Sequence, residues 1–223
     1  MPGQHRVQVV GGFHAPRGFN MAIRLFNEKT FSIDDFEIPE EEKRKIEEAV
    51  RTAKTLLISG GTGSGKTSFI NAIIPNIPED ERLISMEDVP ELKIPHKNWC
   101  QLTFASDDTN DGAEDVSSII NACLRLRPDR IIMGEIRKEN AFGFCSAINT
   151  GHAGSMATIH SNNPRSAIDA VLNRVLMNGE ALESTMNILR RQLMDDIHGV
   201  VQLNRNKGTV VGYYKEIKDG EFV

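Results

Sequence analysis

The chain has 223 residues, of which 39% are hydrophobic and 26% are charged, and its formal net charge is -5 with a pI near 5.7. These values describe a globular protein with one large domain, or one domain and a fragment, and a full hydrophobic core, and they lack the basic charge that nucleic-acid-binding domains usually carry. No apolar run approaches the roughly 18 residues that span a bilayer, and the N-terminus lacks a signal-peptide pattern, so we expect any membrane association to go through a partner.

The front of the chain predicts the end of a β-structured domain. VQVV and NMAIRLF are predicted strands, and a glycine-rich loop with Pro16 joins them. Two strands are only marginally stable by themselves. We therefore expect residues 1–36 to be the last strands and the linker of an N-terminal domain whose front part is missing, and residues 37–223 to form the main domain.

After an amphipathic helix predicted over residues 40–54, the chain alternates between strands and helices. The predicted strands cover residues 55–59, 82–86, 99–104, 130–136 and 155–160. The predicted helices cover residues 68–74, 114–126, 139–149, 164–179 and 183–197, and residues 198–204 and 209–217 predict a terminal hairpin. Apolar strands without polar alternation, separated by helices, are typical of an α/β sheet that is covered by its helices.

The stretch GGTGSGKT, residues 60–67, matches the phosphate-loop pattern G-x-x-x-x-G-K-[ST]. It lies between a predicted strand and a predicted helix, which is the context that the motif requires. Glycines let successive N–H groups turn inward and form an anion-binding nest at a helix N-terminus, and a plain glycine-rich turn is the alternative. The predicted nucleotide-binding residues are Gly61, Thr62, Gly63, Ser64, Gly65, Lys66, Thr67 and Ser68, with Lys66 on the β- and γ-phosphates and Thr67 on Mg²⁺.

Acidic residues follow two of the predicted strands. Glu87 and Asp88 end the strand in RLISMEDVPEL, and Glu135 ends the strand in RLRPDRIIMGEIR. Ligands of open α/β sheets bind at the carboxyl ends of the strands, where a carboxylate can orient an attacking water or hold Mg²⁺. A solvated acidic turn is the alternative for Glu87. Arg130 and Arg137, which flank the second strand, are either phosphate or interface arginines or members of surface salt bridges.

INTGHAGSMATIHS, residues 148–161, carries two histidines at the end of a predicted helix and along the next strand. Gly151 and Gly154 bracket His152 and break the helix. The strand places His160 at its end, on the ligand side of the sheet, with Thr158 on the same face. A lone histidine in this place is more often structural. Because the phosphate loop and two acidic stations share this edge, we favour a nucleotide-binding role for His160.

These four motifs in this order resemble the secretion-superfamily ATPases, which drive type II secretion, type IV secretion, conjugation and type IV pili. GGTGSGKT looks like the family's phosphate loop, ISMEDVPEL its Asp box, RLRPDRIIMGEIR its Walker B strand and TGHAGSMATIHS its His box. The resemblance covers roughly residues 55 to 205, and the His box is its specific element. The short spacing looks most like the type IV secretion and conjugation ATPase.

The resemblance implies a RecA-like domain that hydrolyses ATP with Mg²⁺. It implies Glu87 as the catalytic glutamate, Glu135 as the Walker B acid and His160 as a γ-phosphate sensor that His152 supports. Arg6 and Arg24 fall where the family places arginines that reach the γ-phosphate, a task that suits a planar guanidinium.

The resemblance also implies a homo-hexameric ring that works with inner-membrane secretion-channel components, with nucleic acid only as a possible cargo. We expect a cytoplasmic protein with reduced thiols, because the three cysteines are far apart and form no C-x-x-C pair. The resemblance implies a peripheral location at the cytoplasmic face of the inner membrane. Alternative functions are a DNA-handling motor of the same fold, a type IV pilus or type II secretion motor, a nucleotide kinase and an idle interaction subunit. A kinase would need an arginine-rich lid, and the intact Lys66, Glu87 and Glu135 speak against an idle subunit.

Overall fold

The computed structural model describes residues 6–25, 29–104, 116–179 and 181–223, apart from the side chains of Arg6 and Arg24. The chain separates into two units, residues 1–30 and 31–223. Ile33 and Phe36, which the sequence assigned to the linker, are buried in the core of the second unit. The assignment of the first unit to a larger N-terminal domain stays a prediction.

The first unit contains an antiparallel pair of strands, β1 (Arg6–Val10) and β2 (Asn20–Arg24). Val9 lies opposite Met21 in the register of this pair, and both side chains are exposed.

The second unit is built on an eight-stranded sheet in the order β10-β9-β8-β3-β7-β6-β4-β5. Its strands are β3 (Leu56–Gly60), β4 (Leu83–Glu87), β5 (Trp99–Thr103), β6 (Arg130–Met133), β7 (Met156–Ile159), β8 (Gly199–Asn206), β9 (Thr209–Lys218) and β10 (Glu221–Phe222). Strands β8, β3, β7, β6, β4 and β5 run parallel, while at one edge β9 is antiparallel to β8 and β10 is antiparallel to β9.

Helices cover both faces of this sheet. They are α1 (Glu40–Arg51), α2 (Lys66–Ile73), α3 (Val116–Arg125), α4 (Ala141–Asn149), α5 (Pro164–Asn178) and α6 (Met186–Asp196). One core cluster joins α1 and α2 to Leu56 and Ile58 of β3, and the other joins α3 to α6 to Leu57 between them. Alternate residues of a strand face opposite sides, so an entirely apolar strand serves both cores. The predicted α/β fold is confirmed.

The terminal hairpin is part of the main sheet. Strands β8 and β9 pair antiparallel as predicted, but β8 also pairs in parallel with β3, so the hairpin enlarges the main sheet. The first half of β8 is buried on both faces, which explains why it is apolar apart from Gln202. The predicted helix over 183–197 begins later than expected, because Glu183–Thr185 form a 3-10 turn before α6.

The direction of the parallel strands gathers the predicted site at one edge of the sheet. Gly60 ends β3, Glu87 ends β4, and Glu135 and His160 follow β6 and β7. This edge is where open α/β sheets bind their ligands. Within the described part of the chain, no helix combines the length and the apolar character needed to cross a membrane.

Candidate functional site

The phosphate loop makes a tight turn between β3 and α2. Gly63 and Gly65 have φ values of +70° and +90°, in the left-handed region that glycine adopts without a steric penalty. A Cβ on Gly60 would lie 2.4 Å from Ser64 Oγ and 2.5 Å from the Leu203 carbonyl oxygen, so only glycine fits there. Helix α2 begins at Lys66, and the N–H groups of its first turn lack intrahelical acceptors.

The loop side chains differ in exposure. Gly61, Thr62 and Gly63 are exposed, Gly65, Thr67 and Ser68 are half-buried, and Ser64 and Lys66 are buried. Ser64 Oγ is buried without a hydrogen-bond partner among the described residues. The tip of the loop is therefore open to a solute, while its base is packed against the sheet.

Lys66 turns back onto its own loop. Its Nζ donates to the carbonyl oxygens of Gly60 and Gly61, both at 2.9 Å, and lies 3.1 Å from His160 Nδ1. Burial lowers the pKa of Lys66 to about 8, while the nearby charge of Glu135 opposes that change. The lysine is thus held at the loop by weak neutral partners that an anion can replace.

His160 bridges Lys66 and Glu135. Its Nε2 lies 2.8 Å from Glu135 Oε1, on the other side of the ring from Lys66. An ammonium group has only donors, so Nδ1 accepts from Lys66 and the ring proton resides on Nε2, which donates to Glu135. Burial and the charge of Lys66 lower the pKa of His160, with Glu135 acting in the opposite direction. The geometry therefore favours a neutral imidazole of one tautomer.

Arg137 continues this chain of contacts to the Asp box. Its Nε and Nη2 each lie 3.1 Å from Glu135 Oε2, and Nη2 also lies 2.8 Å from Asp88 Oδ2. Burial works against the charge of Arg137, but Asp88 and Glu135 outweigh burial and raise its pKa. Arg137 is therefore a shared partner inside the site, with a side chain that is 34% exposed.

Asn140, which the sequence analysis missed, clasps the turn that carries Glu135 and Arg137. Its Oδ1 accepts from the Arg137 N–H at 2.8 Å, and its Nδ2 donates to the Glu135 carbonyl oxygen at 2.9 Å. The side chain is fully buried and stands at the N-cap of α4. An asparagine near the start of the helix predicted over 139–149, a residue type that favours the N-cap, was the available signal.

Glu87, the predicted catalytic glutamate, accepts hydrogen bonds from three donors at this edge of the sheet. Its Oε1 accepts from the backbone N–H groups of Glu91 and Leu92, both at 2.8 Å, and its Oε2 accepts from Gln101 Nε2 at 2.9 Å. Burial raises its pKa, and these hydrogen bonds oppose the rise. A Cβ on Gly134 would lie 3.1 Å from Glu87 Cγ, so this acid packs beside the Walker B strand. Its catalytic role stays a prediction.

Arg174 on α5 is a second residue that the sequence analysis missed. It is half-buried and donates from Nη1 to the Ala170 carbonyl oxygen at 2.9 Å. After burial and Lys66, the charge of Arg174 also lowers the pKa of His160. Burial lowers the pKa of Arg174, and Glu135 opposes that effect. A basic residue inside a predicted core helix was its only signal.

Arg130 and His152 lie away from this cluster, at the amino ends of the strands. Arg130 is 1% exposed, and it holds both carboxylate oxygens of Glu81, at 2.5 and 2.7 Å. It is therefore neither a surface arginine nor part of the site. His152 precedes β7 and donates from Nδ1 to the Ala147 carbonyl oxygen, which shapes the turn rather than supporting His160.

The two arginines predicted to reach the γ-phosphate belong to the first unit. Arg6 and Arg24 are paired with each other in the register of β1 and β2. Their side chains lie outside the described residues, so this role stays a prediction.

Comparison with known proteins agrees with the motif pattern. A family model described as "Type II/IV secretion system protein" matches residues 9–209. The chain belongs to this family. The resemblance to the secretion-superfamily ATPases is thereby confirmed.

The type IV secretion branch is prominent among the relatives. "Type IV secretion system protein VirB11" of Bartonella henselae is 33% identical over 163 residues, which are 73% of this chain and 46% of that protein. "Protein VirB11" of Agrobacterium fabrum is 46% identical over 110 residues, which are 49% of this chain and 32% of that protein. The chain thus matches less than half of the length of these relatives.

A solved structure confirms the RecA-like α/β fold of this chain. The crystal structure of the VirB11 ATPase from the Brucella suis type IV secretion system, in complex with sulphate, matches with a TM-score of 0.64 at 24% identity. The match covers 93% of this chain and 68% of that chain.

Proposed function

We propose that this chain carries the ATPase activity of a type IV secretion or conjugation motor, and that it hydrolyses ATP to power assembly of the system or translocation through it. The observation that carries the proposal is the contact chain from Lys66 through His160 to Glu135 beside the phosphate loop. A lysine, a neutral histidine and a carboxylate in mutual contact can respond together when a triphosphate arrives.

The phosphate loop and Lys66 bind the triphosphate. When the β- and γ-phosphates enter, Lys66 exchanges its two loop carbonyls for phosphate oxygens, which are stronger acceptors because they are charged. This exchange removes the donor from His160 Nδ1, so the imidazole can report on the γ-phosphate. Glu87 orients the attacking water, which requires its carboxylate to release one of its present donors.

Magnesium fits the oxygen donors at this edge. The Thr67 hydroxyl, at the start of α2, and the Glu135 carboxylate would hold Mg²⁺, in part through water, because this ion keeps several of its waters and takes few protein ligands. When bound, Mg²⁺ supplies positive charge that stabilises the transferring phosphoryl group. Glu135 keeps one oxygen toward His160 and the other toward Arg137, so water-mediated contact suits it better than direct ligation.

The proposed working form is a homo-hexamer at the cytoplasmic face of the inner membrane, bound to secretion-channel components. Family membership and the relatives' type IV secretion names support this assignment. Arg6 and Arg24 of the first unit are proposed to approach the γ-phosphate. Nucleic acid enters only as a possible cargo, since the net charge of -5 disfavours tight binding by the chain itself.

The test compares Lys66→Ala and Glu87→Gln with the wild type in ATP binding and steady-state turnover. Exposed residues of the same types provide matched controls, Lys97→Ala and Glu79→Gln. We expect both site variants to lose about 100- to 1000-fold in turnover, as when a charge-stabilising contact is removed, and the controls to lose none. Wild-type turnover in both site variants would refute the assignment.

A further inference from the structure

A hydrogen-bonded group of three polar residues lies next to the phosphate loop. It consists of Ser59 on β3, Ser161 directly after His160, and Gln202 on β8, and we call it the polar clamp. Ser59 and Gln202 are fully buried and lie opposite each other in the register of β3 and β8. Ser59 directly precedes Gly60, whose carbonyl oxygen holds Lys66.

The direction of the hydrogen bonds in the polar clamp is determined by its chemistry. Ser161 Oγ donates its single proton to the Asn163 carbonyl oxygen at 2.9 Å. Ser59 Oγ lies 2.7 Å from Ser161 Oγ, so Ser59 must be the donor in that pair. Gln202 Nε2 donates to the Ser161 carbonyl oxygen at 3.3 Å. Ser161 is thus held by its side chain and by its backbone.

The polar clamp contacts the chain just beyond the end of strand β7. The pairing of β3 with β7 ends at Ser59 and Ile159, so His160 is the first residue beyond the ladder. Its imidazole must nevertheless stay within hydrogen-bond distance of both Lys66 and Glu135. Ser161 is the next residue, and its two bonds to neighbouring strands restrain the backbone of His160.

Gln202 is costly as a purely structural residue. Its Oε1 is buried without a partner among the described residues, and a buried acceptor that lacks a donor destabilises the fold. Its neighbours on β8, Val201 and Leu203, are apolar and fully buried. An apolar side chain of similar size would fill this position without that cost, which favours a role for the amide in the site.

We propose that Ser59, Ser161 and Gln202 are positioning residues that hold the imidazole of His160 between Lys66 and Glu135. The proposal rests on the proposed function for its catalytic consequence, but the geometry that it describes belongs to the nucleotide-free chain. The polar clamp also reaches Asn163, the N-cap of α5, so the restraint on His160 is tied to the start of that helix.

The primary test is the ring nitrogen spectrum of His160 in nucleotide-free protein, assigned with His160→Gln. We expect the wild type to show the Nε2–H tautomer, which the contacts with Lys66 and Glu135 select. In Ser161→Ala and Gln202→Leu, we expect a mixture of tautomers. Ser161→Thr, which keeps the hydroxyl, should restore the wild-type spectrum.

Turnover and stability provide the second readout. We expect Gln202→Leu to lower kcat by about tenfold, the size of one lost hydrogen bond, with KM for ATP nearly unchanged. Its unfolding free energy should be equal to or higher than that of the wild type, because the unpaired acceptor is removed. Ser85→Ala is the matched control, a fully buried serine on β4 whose Oγ accepts from Trp99 Nε1.

The outcomes separate the two proposals. If neither the wild type nor any variant hydrolyses ATP but the His160 spectrum still changes in the clamp variants, the positioning role stands and the proposed function fails. An unchanged His160 spectrum in folded Gln202→Leu and Ser59→Ala overturns the positioning role, whatever the turnover. A change of the His160 spectrum in Ser85→Ala as large as that in Ser161→Ala overturns it as well.

Discussion

Two arginines flank the same strand and have opposite kinds of surroundings. Arg130, at the amino end of β6, is 1% exposed and donates to Glu81 and to the Val50 carbonyl oxygen. Arg137, beyond the carboxyl end, has a side chain that is 34% exposed and shares Glu135 and Asp88. The first is saturated by fixed partners, while the second belongs to a partly exposed network of charges.

The contrast indicates that residues for stability and residues for chemistry lie at opposite ends of the same strands. A buried ion pair with all its partners has nothing left to offer a substrate, and its loss leaves a buried charge without compensation. A partly exposed network can exchange partners and shift pKa values, which is what a nucleotide site requires. The amino ends of the strands therefore stabilise the fold, while the carboxyl ends carry the candidate nucleotide site.

The His box serves both ends. A Cβ on Gly154 would lie 2.9 Å from Arg130 Nη1, and Gly154 has a φ of +78°, so this glycine makes room for the buried arginine. Six residues later, after β7, the same motif delivers His160 to Lys66 and Glu135. Within this motif, Gly154 packs against Arg130, while His160 contacts Lys66 and Glu135.

The largest expected effect is on stability, from Arg130→Met. Removing the buried guanidinium leaves the Glu81 carboxylate, which is 23% exposed, without its cation and the Val50 carbonyl oxygen without its donor, so we expect the unfolding free energy to fall by about 3 kcal/mol. Urea unfolding measures this loss, and Arg130→Met combined with Glu81→Leu should recover most of it. Nucleotide affinity of the folded protein should be unchanged. A stable Arg130→Met variant that fails to bind nucleotide would contradict the purely structural role of Arg130.

Arg137→Gln should have the opposite profile. We expect turnover to fall by about 10- to 100-fold, because Glu135 and Asp88 lose the cation that holds them together. The unfolding free energy should change by less than about 1 kcal/mol, since partly exposed ion pairs contribute little. Steady-state kinetics and urea unfolding measure the two effects. A stability loss as large as that of Arg130→Met, with normal turnover, would contradict the division of labour.

The pH dependence of ATP hydrolysis should come only from groups at the carboxyl ends of the parallel strands. Lys66, with a pKa of about 8, loses its charge above that pH, so kcat/KM for ATP should fall about tenfold per further pH unit. Below its lowered pKa, His160 gains a proton that opposes the charge of Lys66, so activity should also fall at acidic pH. Lys66→Arg keeps its charge and should abolish the alkaline decline. Persistence of that decline in Lys66→Arg would assign it to another group.

Arg174→Met should produce the smallest effect. Removing this charge should raise the pKa of His160 and move the acidic decline to higher pH. Turnover at pH 7.5 should change by less than about twofold, as expected for a charge that makes no direct contact with the imidazole. A pH–rate profile measures the shift, with Arg165→Met on the exposed face of α5 as control. An equal shift in the control would indicate a general charge effect.

The arginines also mark the limit of prediction from sequence. Strand β6 and its acid could be predicted because a buried strand reads as an apolar run and its end is known from chain direction. It could not be predicted which of the two arginines is buried, because Glu81, the partner of Arg130, lies 49 residues away in the chain. Glu87 shows the same limit: its place at the edge was predictable, but its bond to Gln101 depends on how β4 and β5 pair.

The sequence by itself determined the α/β alternation, the phosphate loop and the residue types that meet at one sheet edge. These depend on local rules: glycine conformations, hydrophobic periodicity and the direction of parallel strands. Only the tertiary structure decided that His160 joins Lys66 to Glu135, that Arg130 is buried, and that Gln202 reaches Ser161. Such partnerships arise between residues far apart in the chain, where burial and the competition among charges select the pairs.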